Sequence, residues 1–292
     1  MDYRKTLVVK PGTKVRLSKI DASFTGRHEN HEKAQPDIQK HVERMAKLQY
    51  LIYAGGDRSL LVVLQALDAA GKDGVIRHLF TGMNPQGTSV FGFKQPSREE
   101  AAHDFLWRAH WRTPAKGEVV VFNRSHYEDV LVVRVHKLVA DSVWSKRYGL
   151  INDFEKMLSS NGTTVLKFFL HISPQEQLSR FEQRLEDPSR QWKISESDYS
   201  ERELWPQYME AYEDTLALTS TKHAPWYIIP SNHKWFRNLA VSQIVADTMS
   251  EMNLKLPPTR VDIKDIRRKY HSAKKEEEAH GKHRAHSRRP GS

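Results

Sequence analysis

The sequence predicts an α/β protein whose mostly parallel sheet is covered by helices on both faces. Three observations lead there. Apolar runs without polar alternation recur along the chain, as strands buried on both faces require. Helical periodicities separate these runs, so successive strands return in the same direction. Between the first run and the first helix after it stands a stretch of small residues, Leu67-Asp68-Ala69-Ala70-Gly71-Lys72-Asp73-Gly74, the position at which such folds hold phosphate.

Taken in order, residues 1–57 read as an arm. Pro11 and Gly12 open a loop, and a helix is predicted from Pro36 to Ala54, with Ile38, Val42, Met45, Leu48, Leu51 and Ile52 on one face. Gly55-Gly56-Asp57 ends it. Strands are predicted at Ser59–Leu67, Val90–Phe93, Glu118–Phe122, Val165–Ile172 and Trp226–Ile229. Helices are predicted at 75–80, 98–110, 129–140, 143–159, 174–186, 201–218 and 236–252. The start at Pro174 is well marked, with Ser173 as cap, Pro at the first position and Glu176 three residues after the cap. A catalytic body is expected over 58–260, with a lid at about 178–200, and a tail over 261–292.

Composition narrows the function. With 38% hydrophobic residues in 292 the chain can bury a core. It has no cysteine, which excludes disulfides, thiolate nucleophiles and zinc–cysteine sites and fits a cytoplasmic protein. No apolar run is long enough to span a bilayer and no signal peptide is expected, so no membrane role is assigned. The net charge is +10. Residues 264–292 carry 10 Lys/Arg against 4 Asp/Glu, leaving +4 for the rest. The tail reads as solvated and without fixed structure past Ser272. The even charge of the body speaks against a specific nucleic-acid partner, while its small surplus allows a polyanionic ligand.

Three segments carry chemistry. In the small-residue turn, the backbone N–H groups of Ala69, Ala70, Gly71, Asp73 and Gly74 would converge on phosphate oxygens, and Lys72 would reach the bridging and terminal phosphates. The match to G-x-x-x-x-G-K-[ST] is imperfect, since Ala66 replaces the first Gly and Asp73 the Ser/Thr. An ordinary strand-to-helix turn is the competing reading. The third strand ends in Asn123-Arg124-Ser125-His126-Tyr127-Glu128-Asp129. Glu128 and Asp129 either cap the next helix or, with Asp68, contribute to a shared magnesium site. Arg180 and Arg184 share a helix face, and Arg190 and Lys193 follow Pro188. These four cations either close over transferring phosphates or form a solvated face neutralised by Glu182 and Glu186. The fifteen histidines lack metal-ligand spacing, and Trp107, Trp111, Trp205, Tyr208 and Tyr212 read as core rather than as a base-stacking platform.

Residues 10–258 resemble the polyphosphate kinase 2 family. The likeness rests on LQALDAAGKDGVIRHLF, NPQGTSVFGFKQPS, HDFLWRAH, VVFNRSHYEDVLVVRVH and RLEDPSRQWKIS, with Ala224-Pro225-Trp226 further on. The resemblance implies a P-loop kinase-like three-layer α/β/α sandwich with a helical lid. It also implies a magnesium-dependent enzyme, with manganese as a substitute, that moves phosphoryl groups reversibly between inorganic polyphosphate and nucleotides (AMP, ADP, ATP). The family's P-loop acid and lysine fall on Asp68 and Lys72, its second-block arginine on Arg124, and its lid cations on Arg180, Arg184, Arg190 and Lys193. Many members have Asp-Arg-Ser-Trp-Tyr-Asn-Arg where this chain has Asn123 to Asp129; the departure resembles the subset that accepts both AMP and ADP. With Glu128 and Asp129 from the departing block, the expected catalytic set is Asp68, Lys72, Arg124, Glu128 and Asp129, with Asp68 and Asp129 as metal ligands. A homo-oligomer is expected. The rival readings are an ATP-dependent nucleoside monophosphate kinase and, from another class, a basic nucleic-acid-binding protein on an inert P-loop fold.

Overall fold

The computed structural model describes residues 1–286. Residues Met1–Lys255 form one compact unit and Leu256 onward a second. After a single helical turn at Tyr3–Thr6, the first long helix, α1 (His31–Gly55), begins five residues before Pro36, because Asn30 caps it by accepting the Lys33 N–H at 3.0 Å. Gly56, in the left-handed region at φ +63°, ends it. Then follow β1 (Ser59–Gln65), α2 (Lys72–Leu79), β2 (Thr88–Gly92), β3 (Val119–Asn123), α3 (Asp141–Ser160), β4 (Thr163–His171), α4 (Pro174–Glu186), α5 (Glu196–Glu203), α6 (Trp205–Thr219), β5 (Trp226–Pro230) and α7 (Lys234–Glu251). All five expected strands are present.

The strands form one parallel sheet in the order β2-β3-β1-β4-β5. Alternate residues of β1 enter different cores, which is why its sequence shows no polar alternation. Leu60, Val62 and Leu64 pack with residues of α1 and α7 on one face, and Leu61 and Val63 with residues of α3 and α6 on the other. Each such buried Val or Leu contributes about 1.5–3 kcal/mol. Helices therefore sandwich the sheet, as expected.

Residues 1–57 are no separate arm. Val8 makes an antiparallel bridge to Tyr227, Tyr3 packs edge-on against Phe236 at 5.3 Å, and α1 packs its apolar face into the core with α7. The helix expected over 98–110 is instead two short helices, Arg98–Ala101 and Trp107–His110. Ser97 and Glu100 form a capping box at the first, and the Asp104 carboxylate accepts the Leu106 N–H at 2.9 Å, breaking the helical run. The stretch 129–140 likewise holds only the short helix Val132–Val135 after a 3-10 turn at His126–Asp129. Helical structure starts at Glu196 rather than Glu201, with α5 and α6 separated at Leu204, where Pro206 follows Trp205.

In the second unit, residues Ile263–His286 form a helix, α8. This corrects the expectation of a structureless tail past Ser272. Ala, Lys, Arg and Glu dominate residues 264–280, all good helix formers, and Asp265 pairs with Arg268 at 2.9 Å and Lys269 at 3.0 Å. The part of that tail over 287–292 lies outside the described residues.

Candidate functional site

The site is built at the C-terminal end of the central strand. After β1 the chain passes through Ala69, at φ +61°, and Gly71, at φ +102°, before α2 begins at Lys72. Lys72 Nζ reaches back to donate to the Ala66 carbonyl at 3.0 Å. Burial pushes its pKa down, against the pull of Asp68, and Arg124 presses the same way as burial. The Asp68 carboxylate accepts Arg124 Nη2 at 3.0 Å.

Arg124 comes from the end of β3, also at positive φ (+61°), and its N–H donates to the Leu64 carbonyl at 3.0 Å. Glu128 stands 3.6 Å from Arg124. Burial raises the Glu128 pKa and Arg124 opposes the rise. The residues between them are anchored in the core. Ser125 Oγ accepts from Gln65 and from the Tyr127 N–H, at 3.1 and 3.2 Å. The Tyr127 hydroxyl donates to Glu155 at 2.8 Å and accepts from Lys167 at 2.8 Å. Lys167 and Glu155, fully buried, form an ion pair, and Lys167 also donates to the Thr219 carbonyl at 2.7 Å. Every polar group of Tyr127, Glu155 and Lys167 thus has a partner, so the network holds the strand-end block rigidly.

Two cavities open here. The larger, about 600 Å³, lies between the P-loop, α4, the 187–195 connection and the start of α7. From α2 come Lys72 and Arg77; from the lid, Arg180, Arg184, Arg190 and Lys193; from α7, Lys234 and Arg237. The acids in its wall are Asp68 and Asp73. Arg180, Arg184 and Arg190 also pair with Glu176, Asp198 and Asp187 outside that wall; the positive surplus that remains suits a polyanion. The smaller cavity, about 200 Å³, has Arg124, Glu128, Glu201 and Arg202 as its charged groups besides Asp68, and Trp205, Tyr208 and Tyr212 as its aromatic wall. Asp68 lines both.

The expected site residues are therefore largely brought together. Asp68, Ala69, Gly71, Lys72, Asp73, Gly74, Arg184, Arg190 and Lys193 line the larger cavity, and Arg124 and Glu128 meet Asp68 in the smaller. Ala70 is fully buried and contributes its carbonyl, which accepts Arg180 at 3.0 Å. Arg180 is only 5% exposed, and its guanidinium is spent on Glu176, on the Ala69 and Ala70 carbonyls and on those of Ser231 and Asn232. It ties the lid's root to the P-loop. Asp129 does not join Asp68. It lines neither cavity, and its carboxylate is held by Arg108 and Arg147, each at 3.3 Å. Tyr208 and Tyr212 are buried, as core reading required, but they also wall the smaller cavity. Arg77, Lys234 and Arg237 were not singled out by the sequence. The available signal was position: Lys234 and Arg237 follow the C-terminal end of β5, where parallel sheets gather ligands.

A divalent cation fits this donor set in one way. Among the described residues no three His, Asp or Glu side chains converge as a metal cage. Asp68 and Glu128 face the same cavity, and burial, with Asp68 adding to it, raises the Glu128 pKa. One or two carboxylates plus substrate phosphates is the usual arrangement for magnesium.

Residues 28–257 match the family model described as polyphosphate kinase 2. The AMP/ADP-polyphosphate phosphotransferase of Meiothermus ruber is 48% identical over 85% of this chain and 94% of its own length. The ADP-polyphosphate phosphotransferase of Rhodopseudomonas palustris is 43% identical over 87% of this chain and 92% of its own. The crystal structure of polyphosphate kinase 2 from Arthrobacter aurescens superposes with a TM-score of 0.89 at 39% identity, covering 93% of this chain and 97% of that one.

Proposed function

The chain belongs to the polyphosphate kinase 2 family, and we propose that its larger cavity takes the polyphosphate donor and its smaller one the nucleotide acceptor. The enzyme is a polyphosphate-dependent phosphotransferase acting on AMP and ADP. The observation that supports the assignment of the cavities is charge: one cavity has eight cations against two acids in its wall, its neighbour has arginine, carboxylates and aromatic rings, and the two meet at Asp68.

The chemistry that fits is in-line displacement, in which positioning and charge neutralisation do most of the work. Lys72, desolvated at the start of α2, neutralises the transferring phosphoryl group. Arg124, fixed between Asp68 and Glu128, holds the acceptor phosphate. Arg184, Arg190 and Lys193 offset the charge of the donor chain. Glu128, in the wall of the smaller cavity, would fill the room a shorter acceptor leaves, which favours use of AMP as well as ADP. A divalent cation, magnesium or manganese, would be held by Asp68 and Glu128 together with substrate phosphates and would supply charge neutralisation. Self-association and a cytoplasmic setting belong to the same reading; among the described residues no helix is long and apolar enough to cross a membrane.

The test is phosphotransfer from polyphosphate to AMP with no ATP present, followed by phosphorus NMR. ADP and ATP should both appear. A requirement for ATP as donor would overturn the donor assignment in favour of a nucleoside monophosphate kinase.

A further inference from the structure

Arg237, in the first turn of α7, differs from its neighbour Arg180. Both are buried, at 4% and 5% exposure. Arg180 has an acid, Glu176, and four carbonyls as partners. Arg237 donates to its neighbour Asn238 at 3.0 and 3.2 Å and, at a long 3.3 Å, to the Ala70 carbonyl. Among the described residues no acidic group pairs with it; burial and Arg180 push its pKa down to about 10, so it stays charged at neutral pH. A buried guanidinium without a counter-charge is costly, and a purely structural arginine would be paired as Arg180 is.

The P-loop is shaped around this group. A Cβ at Gly71 would collide with Arg237 Nη1, and a Cβ at Gly74 would lie 2.9 Å from Nη2. Gly71 is needed anyway for its positive φ. Gly74 is not: it sits inside α2, where alanine is the better helix former. The guanidinium accounts for it. Lys234, exposed one turn earlier, lines the same cavity, and its pKa is lowered by burial and by Arg180 and Arg190.

We propose that Arg237 and Lys234 form a phosphate subsite on the fixed side of the larger cavity. The subsite grips a phosphate of the donor chain lying over the Gly71–Gly74 turn. The donor is thus held by α7 of the core as well as by the lid. This rests on the larger cavity being the donor cavity.

The experiment compares the KM for polyphosphate and for AMP in wild type, R237Q, R237K, K234Q, G74A and G74A/R237Q. Wild type must first use polyphosphate as donor; failure there would defeat the donor reading itself, separately from the subsite. Loss of one charge-assisted contact should raise the polyphosphate KM about tenfold in R237Q and K234Q, with the AMP KM within about twofold and R237K intermediate. The polyphosphate KM should also become less sensitive to salt. G74A should raise the polyphosphate KM in wild type and have no further effect with R237Q. An unchanged polyphosphate KM in K234Q and R237Q, or an equal rise for both substrates, overturns the subsite. If R237Q does not fold, K234Q and the pair G74A and R237K decide, since an exposed lysine is not needed for folding.

Discussion

Lys193 of the lid places its Nζ 3.2 Å from the carboxylate of Asp73 in the P-loop. The other Asp73 oxygen accepts Asn123 Nδ2 at 3.3 Å. Burial alone would raise the Asp73 pKa; Lys193, Asn123 and Lys72 more than reverse this and hold it below the ordinary carboxylate value. The P-loop thus supplies this lid cation with a counterion, as Asp198 does for Arg184 and Asp187 for Arg190, and a polyanion must compete for it. K193Q should raise the polyphosphate KM several-fold while costing only about 0.2–1 kcal/mol of stability, as partly exposed pairs do. D73N should lower the polyphosphate KM at low salt. A raised KM in D73N would show that the acid assists the donor instead.

Lys72→Ala should keep the fold and lose at least about a hundredfold in kcat, by analogy with other lost transition-state charge contacts. Thermal melting checks the first and initial rates the second. A folded variant with near-normal turnover would remove Lys72 from the reaction.

Asp68 and Asp129 should separate cleanly. D68N should raise the divalent-cation concentration needed for half-maximal rate, or abolish turnover. D129N should leave that concentration unchanged and instead lower stability by about 1–3 kcal/mol, because Arg108 and Arg147 lose their shared carboxylate. A metal titration of both variants gives the answer, and a shift in D129N would restore it as a ligand.

Glu128→Asn should cut kcat/KM for AMP more than for ADP, since only the shorter acceptor leaves a gap for Glu128 to fill. The ratio of the two values is the readout. If it stays constant, acceptor range is set elsewhere in the smaller cavity.

His78, on α2, gives a pH signature. Burial, and then Arg237, lower its pKa from 6.5 to about 4. Between those values the unfolded chain binds more protons than the folded one, so stability falls as pH drops from about 6.5 toward 4. Urea unfolding at several pH values should show this loss in wild type and a smaller one in His78→Gln. Equal slopes would mean that His78 is protonated in the folded protein at ordinary values.

The strands were legible because burial on both faces leaves an unbroken apolar run, visible without knowing which strand pairs with which. The P-loop and lid were legible because phosphate chemistry needs small residues and cations at fixed spacing. What was hidden depends on direction and on distance in space. Glu128 and Asp129 are adjacent on a 3-10 turn, and the structure aims one at the cavity and the other at Arg108 and Arg147. Arg180 and Arg184 share a helix face, but Arg180 lies one turn nearer the lid's root, within reach of four carbonyls. Lys234 and Arg237 lie some 160 residues from the P-loop they serve, and no local pattern marks them.

Asp68 stands in the wall of both cavities. On the proposed assignment, donor and acceptor meet across this one side chain, so direct transfer between them needs no carrier group. The ratio of forward to reverse kcat/KM is bound to the equilibrium constant of the exchange. A substitution around Asp68 can change how fast the exchange runs but not where it comes to equilibrium, so the supply of nucleotide and polyphosphate sets the direction of net transfer.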